Sequence, residues 1–193
     1  MVRFTPVLLA LATAASALRI KSVSHSGPAC PQDAKVTWSG DLDDLTITLS
    51  DFSETLTAGQ MTSCQVHLLV DGGEAGRALV LQDVVVRGGL YLSSNAKVDF
   101  YTTAYWSEAA SDTQVTKSTS TSSGSGAVAR NVAVAQRVNT ASTCVGGDGY
   151  VGILNVTFRI ISQAGSRIVF GREHKDGGTS PVTEALTFKW QGC

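Results

Sequence analysis

Charge is scarce in this sequence: Asp, Glu, Lys and Arg make up 16% of its 193 residues, and their near balance leaves a formal net charge of −1. So weak a field offers no grip on a phosphate backbone, and nucleic acid is not an expected partner. Long hydrophobic runs are missing as well. The apolar stretch near the N-terminus falls short of the roughly 18 to 20 residues that span hydrocarbon, so no membrane partner is expected either. Cysteine occurs four times, at Cys30, Cys64, Cys144 and Cys193, without the close pairs of a structural zinc site or a redox Cys-x-x-Cys element. No Gly-x-Ser-x-Gly elbow and no glycine-rich nucleotide loop leading into a helix is found. What the chain does have is 43% hydrophobic residues, which sets it apart from disordered sequences, and 41 Ser and Thr with 19 Gly. That composition favours strands, turns and polar loops over long helices.

The first residues supply a short entry signal. Arg3 provides a positive charge, Val7 to Ala14 an apolar segment, and Ala15-Ser16-Ala17 the small residues that precede a signal-peptidase cut. Residues 1–17 are therefore expected to be a secretory leader and 18–193 a single secreted, extracellular β domain. Secretion changes the meaning of the cysteines. An even set in an oxidising compartment is expected to form two disulfides, for which three pairings exist.

Strand periodicity recurs along the mature chain. Leu45, Ile47 and Leu49 alternate with Thr46, Thr48 and Ser50, after a polar turn that follows Lys35–Ser39. Cys64–Val70 reads as a strand closed by Asp71-Gly72-Gly73. Arg77–Val86 reads as another, interrupted at Gly88-Gly89 before Leu90-Tyr91-Leu92. In Val98–Trp106 the residues Val98, Phe100, Thr102, Ala104 and Trp106 share one parity, and Asp99, Tyr101, Thr103 and Tyr105 the other. Ala127–Val138 is a less regular strand whose alanines also suit a short helix. Residues 107–126 are dominated by Ser and Thr and read as a flexible or O-glycosylated surface loop. Leu154, Val156, Phe158 and Ile160 form the inward side of the sharpest strand, with Asn155, Thr157 and Arg159 opposite. Ile168–Phe170, a charged Gly171–Pro181 excursion and Leu186–Trp190 close the chain. Trp38 and Trp190 share parity with apolar neighbours and are expected in the core. Many short alternating segments point to an all-β fold, an antiparallel β-sandwich with short strands and long loops.

Several stretches also carry a family resemblance: residues 24–33, reading Ser-His-Ser-Gly-Pro-Ala-Cys-Pro-Gln-Asp, Ser63–Leu68 after the loop that bears Phe52, Cys144-Val-Gly-Gly147, and the terminal Leu186–Cys193. With these the chain resembles the fungal secreted proteins grouped as "domain of unknown function four-three-six-zero" over nearly all of its length from Leu18. The resemblance implies a small secreted fungal β domain with disulfides. It brings no catalytic residues, substrate or cofactor.

Candidate chemistry is sparse. His25, His67 and His174 form no recognisable metal set, and neither Asp41-Leu42-Asp43-Asp44 nor Asp148 matches a calcium loop, so solvated turn acids are expected, with no metal and no cofactor. Asp99, Tyr101 and Tyr105 form the most coherent recognition face, a carboxylate beside two aromatic rings on the side opposite Phe100 and Trp106. The expected function is noncatalytic extracellular recognition of cell-wall carbohydrate or a glycosylated partner, with a polysaccharide hydrolase or a structural wall protein as alternatives. Oligomeric state is not legible. Antiparallel strand order brings Cys30 toward Cys64, and Cys144 toward Cys193, with Cys30 to Cys193 the strongest alternative. Asn155-Val156-Thr157 is the one complete Asn-x-Thr sequon and is expected to carry an N-glycan away from the core.

Overall fold

A computed structural model describes residues 18–165, 167–175 and 178–193; the expected leader at 1–17 lies outside the described residues. In chain order the strands are β1 Arg19–Ser26, β2 Val36–Ser39, β3 Thr46–Leu49, β4 Glu54–Leu56, β5 Met61–Asp71, β6 Arg77–Leu92 and β7 Lys97–Trp106. After a 3-10 helix at Ser107–Asp112 come β8 Gln114–Thr121, β9 Val128–Ala141, β10 Tyr150–Ala164, β11 Ile168–Gly171, β12 Glu173–Lys175, β13 Gly178–Ser180 and β14 Val182–Gly192. One sheet has the order β1-β5-β10-β7-β8. The other runs β2-β3-β14-β6-β11-β4, and β9 lies along the opposite side of β6. β12 and β13 form a separate hairpin. The pairings are antiparallel, and the two sheets make the expected β-sandwich.

Alternation decides which side of each strand is buried. Val66, Leu68 and Val70 of β5, Phe100, Ala104 and Trp106 of β7, and Leu154, Val156, Phe158 and Ile160 of β10 turn inward. They meet Leu79, Leu81, Val84, Val86 and Leu90 of β6 and Ile47 and Leu49 of β3 in one continuous core. Phe52, Phe100, Phe158 and Phe170 cluster at its centre. The Phe100 and Phe158 rings stack at 5.7 Å, and Phe170 meets Phe52 edge-on at 5.9 Å. Each fully buried large side chain contributes roughly 1.5–3 kcal/mol. The Gln136 side chain and the Thr140 main chain of β9 link the two sheets: Thr102 Oγ1 donates to Gln136 Oε1, Gln136 Nε2 donates to the Phe100 carbonyl at 3.0 Å, and Trp106 Nε1 donates to the Thr140 carbonyl at 3.4 Å.

Cys30 pairs with Cys64 and Cys144 with Cys193, at Cα separations of 5.3 and 6.1 Å. The expected pairing holds because Ser26 lies opposite Gln65, so the chain leaving β1 passes beside Cys64. Cys193 follows directly on the end of β14, opposite the start of β6, and Val145 bonds to Arg77 at that same end.

Three readings of the sequence need correction. Residues 107–126 are not one long loop: they hold the 3-10 helix and β8, an edge strand paired with β7 from Gln114 to Thr121. Such a strand needs little apolar side chain, because pairing with β7 satisfies its backbone and β-branched Thr suits the pleat. Gly88-Gly89 does not interrupt β6, which continues to Leu92, whereas the strand expected over Ala127–Val138 is present as β9. The excursion after Gly171 is the β12–β13 hairpin. Trp38 is 45% exposed: it faces the same way as buried Ile47, but β2 is the edge strand and overhangs the core. Trp190 is partly buried against the core, with the Arg77 guanidinium 5.5 Å from its ring centre.

Candidate functional site

The outer face of the five-stranded sheet gathers the residues singled out from the sequence. Register places them in rows across β5, β10, β7 and β8. One row is His67, Asn155 and Tyr105; the next is Gln65, Thr157, Thr103 and Val115; then Ser63, Arg159, Tyr101 and Lys117; then Met61, Ile161, Asp99 and Thr119. Tyr101 and Tyr105 are four residues apart on one strand, so their attachment points stand about 13 Å apart. Both are half-buried, and Gln65 Nε2 donates to the Tyr105 hydroxyl at 3.4 Å. Met61, 67% exposed, and Val115, 61% exposed, add apolar surface to the same face.

Asp99 lies on the expected side but is not open to a ligand, which corrects its place in the recognition face. It is 1% exposed. Lys117 Nζ sits 2.8 Å from Oδ2, and Thr119 Oγ1 donates to Oδ1 at 2.6 Å. Burial pushes the carboxyl upward, but the bonds from Lys117 and Thr119 outweigh it and hold the group below its usual range, while the bond to Asp99 raises Lys117. The Lys117 ammonium also stands 5.4 Å from the Tyr101 ring centre. Asp99 therefore positions Lys117 against Tyr101.

A hydrogen-bonded chain that was not legible from spacing crosses the same face. His67 Nδ1–H donates to Asn155 Oδ1 at 2.6 Å, and Ser26 Oγ donates to His67 Nε2 at 3.3 Å. Asn155 Nδ2 donates to Ser107 Oγ at 2.9 Å, to the Ile153 carbonyl at 3.2 Å and to the Tyr105 carbonyl at 3.5 Å. Asn155 is on the outer side, as alternation requires, yet it is only 4% exposed, because the 3-10 helix brings Ser107 over it. Nδ2 is the atom a glycan would occupy. In the folded chain it is committed to these acceptors, and a glycan there displaces them.

A groove of about 630 Å³ lies on the outer side of the other sheet, with Tyr91, Gly89, Ala129, Val169 and Gly171 on its floor and Arg130 and Arg172 among its lining residues. Its wall exists because Gly89 has no side chain: a Cβ there would collide with the Arg172 carbonyl oxygen, which passes directly over it. No sequence pattern pointed to this groove, because only the fold brings the Gly88-Gly89 pair beneath the segment after Gly171.

The model of a protein family described as Domain of unknown function (DUF4360) matches residues 16–193. The chain belongs to this family. No curated protein matches it. Among solved structures, it resembles the enzymatically active domain of bacteriophage CBA120 tailspike protein 4 at 11% identity and a TM-score of 0.26, over 86% of this chain and 19% of that one. It resembles TmCBM61, solved with β-1,4-galactotriose, at 10% identity and a TM-score of 0.26, over 91% of both chains. The CBM22-1 xylan-binding domain of Xyn10C from Paenibacillus barcinonensis is similar at 11% identity and a TM-score of 0.29, over 90% of this chain and 98% of that one. Likenesses this distant transfer neither a ligand nor a site.

In this DUF4360 protein the remaining acids have local tasks. Asp44 Oδ1 accepts from the Asp41 N–H at 2.8 Å, and Asp148 Oδ1 from the Tyr150 N–H at 3.2 Å, so both brace turns. Glu108 accepts from the Tyr150 hydroxyl at 2.5 Å and the Ile153 N–H at 3.1 Å, and pushes the Tyr150 phenol up to about 12. Glu184 is different. It turns inward from β14 between Val182 and Leu186, is 2% exposed, and its Oε1 has no hydrogen-bond partner. Burial alone pushes its carboxyl up to about 8. Among the described residues no group of three or more His, Cys, Asp or Glu is placed to hold a metal ion, and no helix is long and apolar enough to cross a membrane.

Proposed function

We propose that the protein is a noncatalytic extracellular recognition domain that binds carbohydrate, in a wall polymer or on a glycosylated partner, on the outer face of its five-stranded sheet. The observation that carries this reading is the placement of Tyr101 and Tyr105 on one strand beside Gln65, Thr157 and Arg159 on the neighbouring strands. Phenol rings give apolar contact to the C–H faces of a sugar, and the amide, hydroxyl and guanidinium groups pair with its hydroxyls. A sheet face also holds these groups at fixed spacing, so little side-chain freedom is lost on binding. The leader expected at residues 1–17 supports export to a compartment where such ligands occur.

The experiment is a pull-down on neutral polysaccharide fractions of fungal and plant walls, freed of uronic acid polymers, followed by analysis of soluble sugar products. The proposal expects retention of the wild-type protein, loss of retention for Tyr101→Ala with Tyr105→Ala, and no release of products. A second reading, an extracellular hydrolase, is favoured by one observation, the Ser26–His67–Asn155 chain, whose order matches nucleophile, base and orienting group. Its third member is a neutral amide, which orients the imidazole without stabilising the imidazolium as a carboxylate does. Turnover that disappears in Ser26→Ala would establish this second reading and reject the first.

A further inference from the structure

We infer that the groove over Gly89 is a second carbohydrate site, selective for an acidic oligosaccharide built of uronic acid units. The inference uses none of the residues of the tyrosine face. Val169, Tyr91 and Ala129 lie side by side in register and make an apolar strip, and Gly171 and Gly89 continue the floor without side chains. Ser53 and Thr179 bring hydroxyls to the lining, and Arg130 and Arg172 bring guanidinium groups. Among the described residues no Asp or Glu lines the groove. Arg167 stands 6.0 Å from the Tyr91 ring centre and adds a third cation beside the same floor.

The arginines differ in their commitments. Arg172 donates to the Ser50 carbonyl at 3.1 Å and so holds the β12–β13 hairpin against the sheet. Arg130 is exposed and makes no ion pair among the described residues. A guanidinium beside an aromatic ring, in a groove whose described lining holds no acid, suits a ligand that is apolar on one face and carboxylated at its edge. A phosphate ion would use the arginines and leave the Tyr91–Val169 strip uncovered. A neutral glucan would cover the strip and leave the arginines without an anion. A uronic acid unit meets both, since its ring lies on the strip while its carboxylate reaches Arg130. The volume of about 630 Å³ suits a few sugar rings rather than a long buried chain.

The test is amide-shift NMR of the full secreted chain, titrated separately with tetragalacturonate, with a neutral cellotetraose and with inorganic phosphate. Tetragalacturonate is expected to shift Gly89, Tyr91, Val169 and Gly171 and to bind roughly tenfold or more tightly than either comparison ligand. Arg130→Gln, at an exposed position that leaves folding intact, is expected to lose about that factor, and added salt to weaken binding in parallel. The Tyr101→Ala, Tyr105→Ala double variant is expected to keep groove binding, which separates this inference from the sheet-face reading. Absence of groove shifts, equal binding of cellotetraose, phosphate binding as tight as tetragalacturonate, or an unchanged affinity in Arg130→Gln would each overturn it.

Discussion

Glu184 makes the stability of this domain depend on pH in a direction opposite to that of most carboxylates. Its folded carboxyl titrates at about 8, against 4.5 for an exposed glutamate. The unfolded chain therefore releases this proton at lower pH than the native chain, and rising pH favours unfolding. At pH 4 the group is protonated in both states and the contribution is fully present. Between about 4.5 and 8 it is lost at roughly 1.4 kcal/mol per pH unit, and above 8 the native carboxyl ionises and the loss stops. The shift corresponds to about 5 kcal/mol in all, comparable with the whole stability of a marginal domain. Urea unfolding at pH 5, 7 and 9 measures it. Wild type is expected to lose several kcal/mol across that range, Glu184→Gln to be nearly flat, and Glu184→Leu to be the most stable at pH 9 because no unpaired polar atom remains between Ile47 and Val86. If Glu184→Gln follows the wild-type pH dependence, the carboxyl is not buried as described and the reasoning fails.

Other perturbations have distinct signatures. Asp99→Asn should destabilise by about 1–2 kcal/mol at neutral pH, since it removes a charge-assisted bond to Lys117. That difference should fade as pH falls through the depressed Asp99 titration, because the stability it adds is present above the unfolded pKa and lost below the folded one; acid unfolding of both proteins reads it. Replacing Cys30 and Cys64 together by Ser should cost about 4 kcal/mol in denaturant unfolding, by the loop-closure model; a change under 1 kcal/mol would contradict it. Gly89→Ala should shift amides along β12 and β13 in NMR spectra, because its Cβ meets the Arg172 carbonyl; an unchanged hairpin would contradict the close approach.

Where burial was one-sided the fold was legible. The alternation of Leu154–Ile160 and Val98–Trp106 named the inward residues correctly, and the antiparallel order of the strands brought the cysteines together in the expected pairs. Edges were harder to read. β8 has no apolar side because it needs only β7, so its Thr and Ser resembled a loop, and Trp38 obeyed parity on a strand that overhangs the core. Glu184 stands at an inward position where the pattern calls for an apolar residue, and no periodicity reveals a buried carboxyl there. For the candidate site, parity places Tyr101 and Tyr105 on one face but does not show that Lys117 and Thr119 enclose Asp99, since the Ser- and Thr-rich β8 that carries them has no apolar side to mark it as a strand. The His67–Asn155 pair joins residues 88 positions apart, and the groove joins Gly89 to Arg172. Both exist only once register is fixed.

The central claim is that carbohydrate binds across Tyr101 and Tyr105. Amide-shift mapping with soluble neutral oligosaccharides released from wall fractions, comparing wild type with Tyr101→Ala and Tyr105→Ala, tests it most directly. The account expects shifts confined to Gln65, Tyr101, Thr103, Tyr105 and Thr157 in the wild type, each alanine variant weakening binding by about 1–3 kcal/mol or more than fivefold. Saturating shifts elsewhere on the surface, or affinities unchanged by both substitutions, would contradict it.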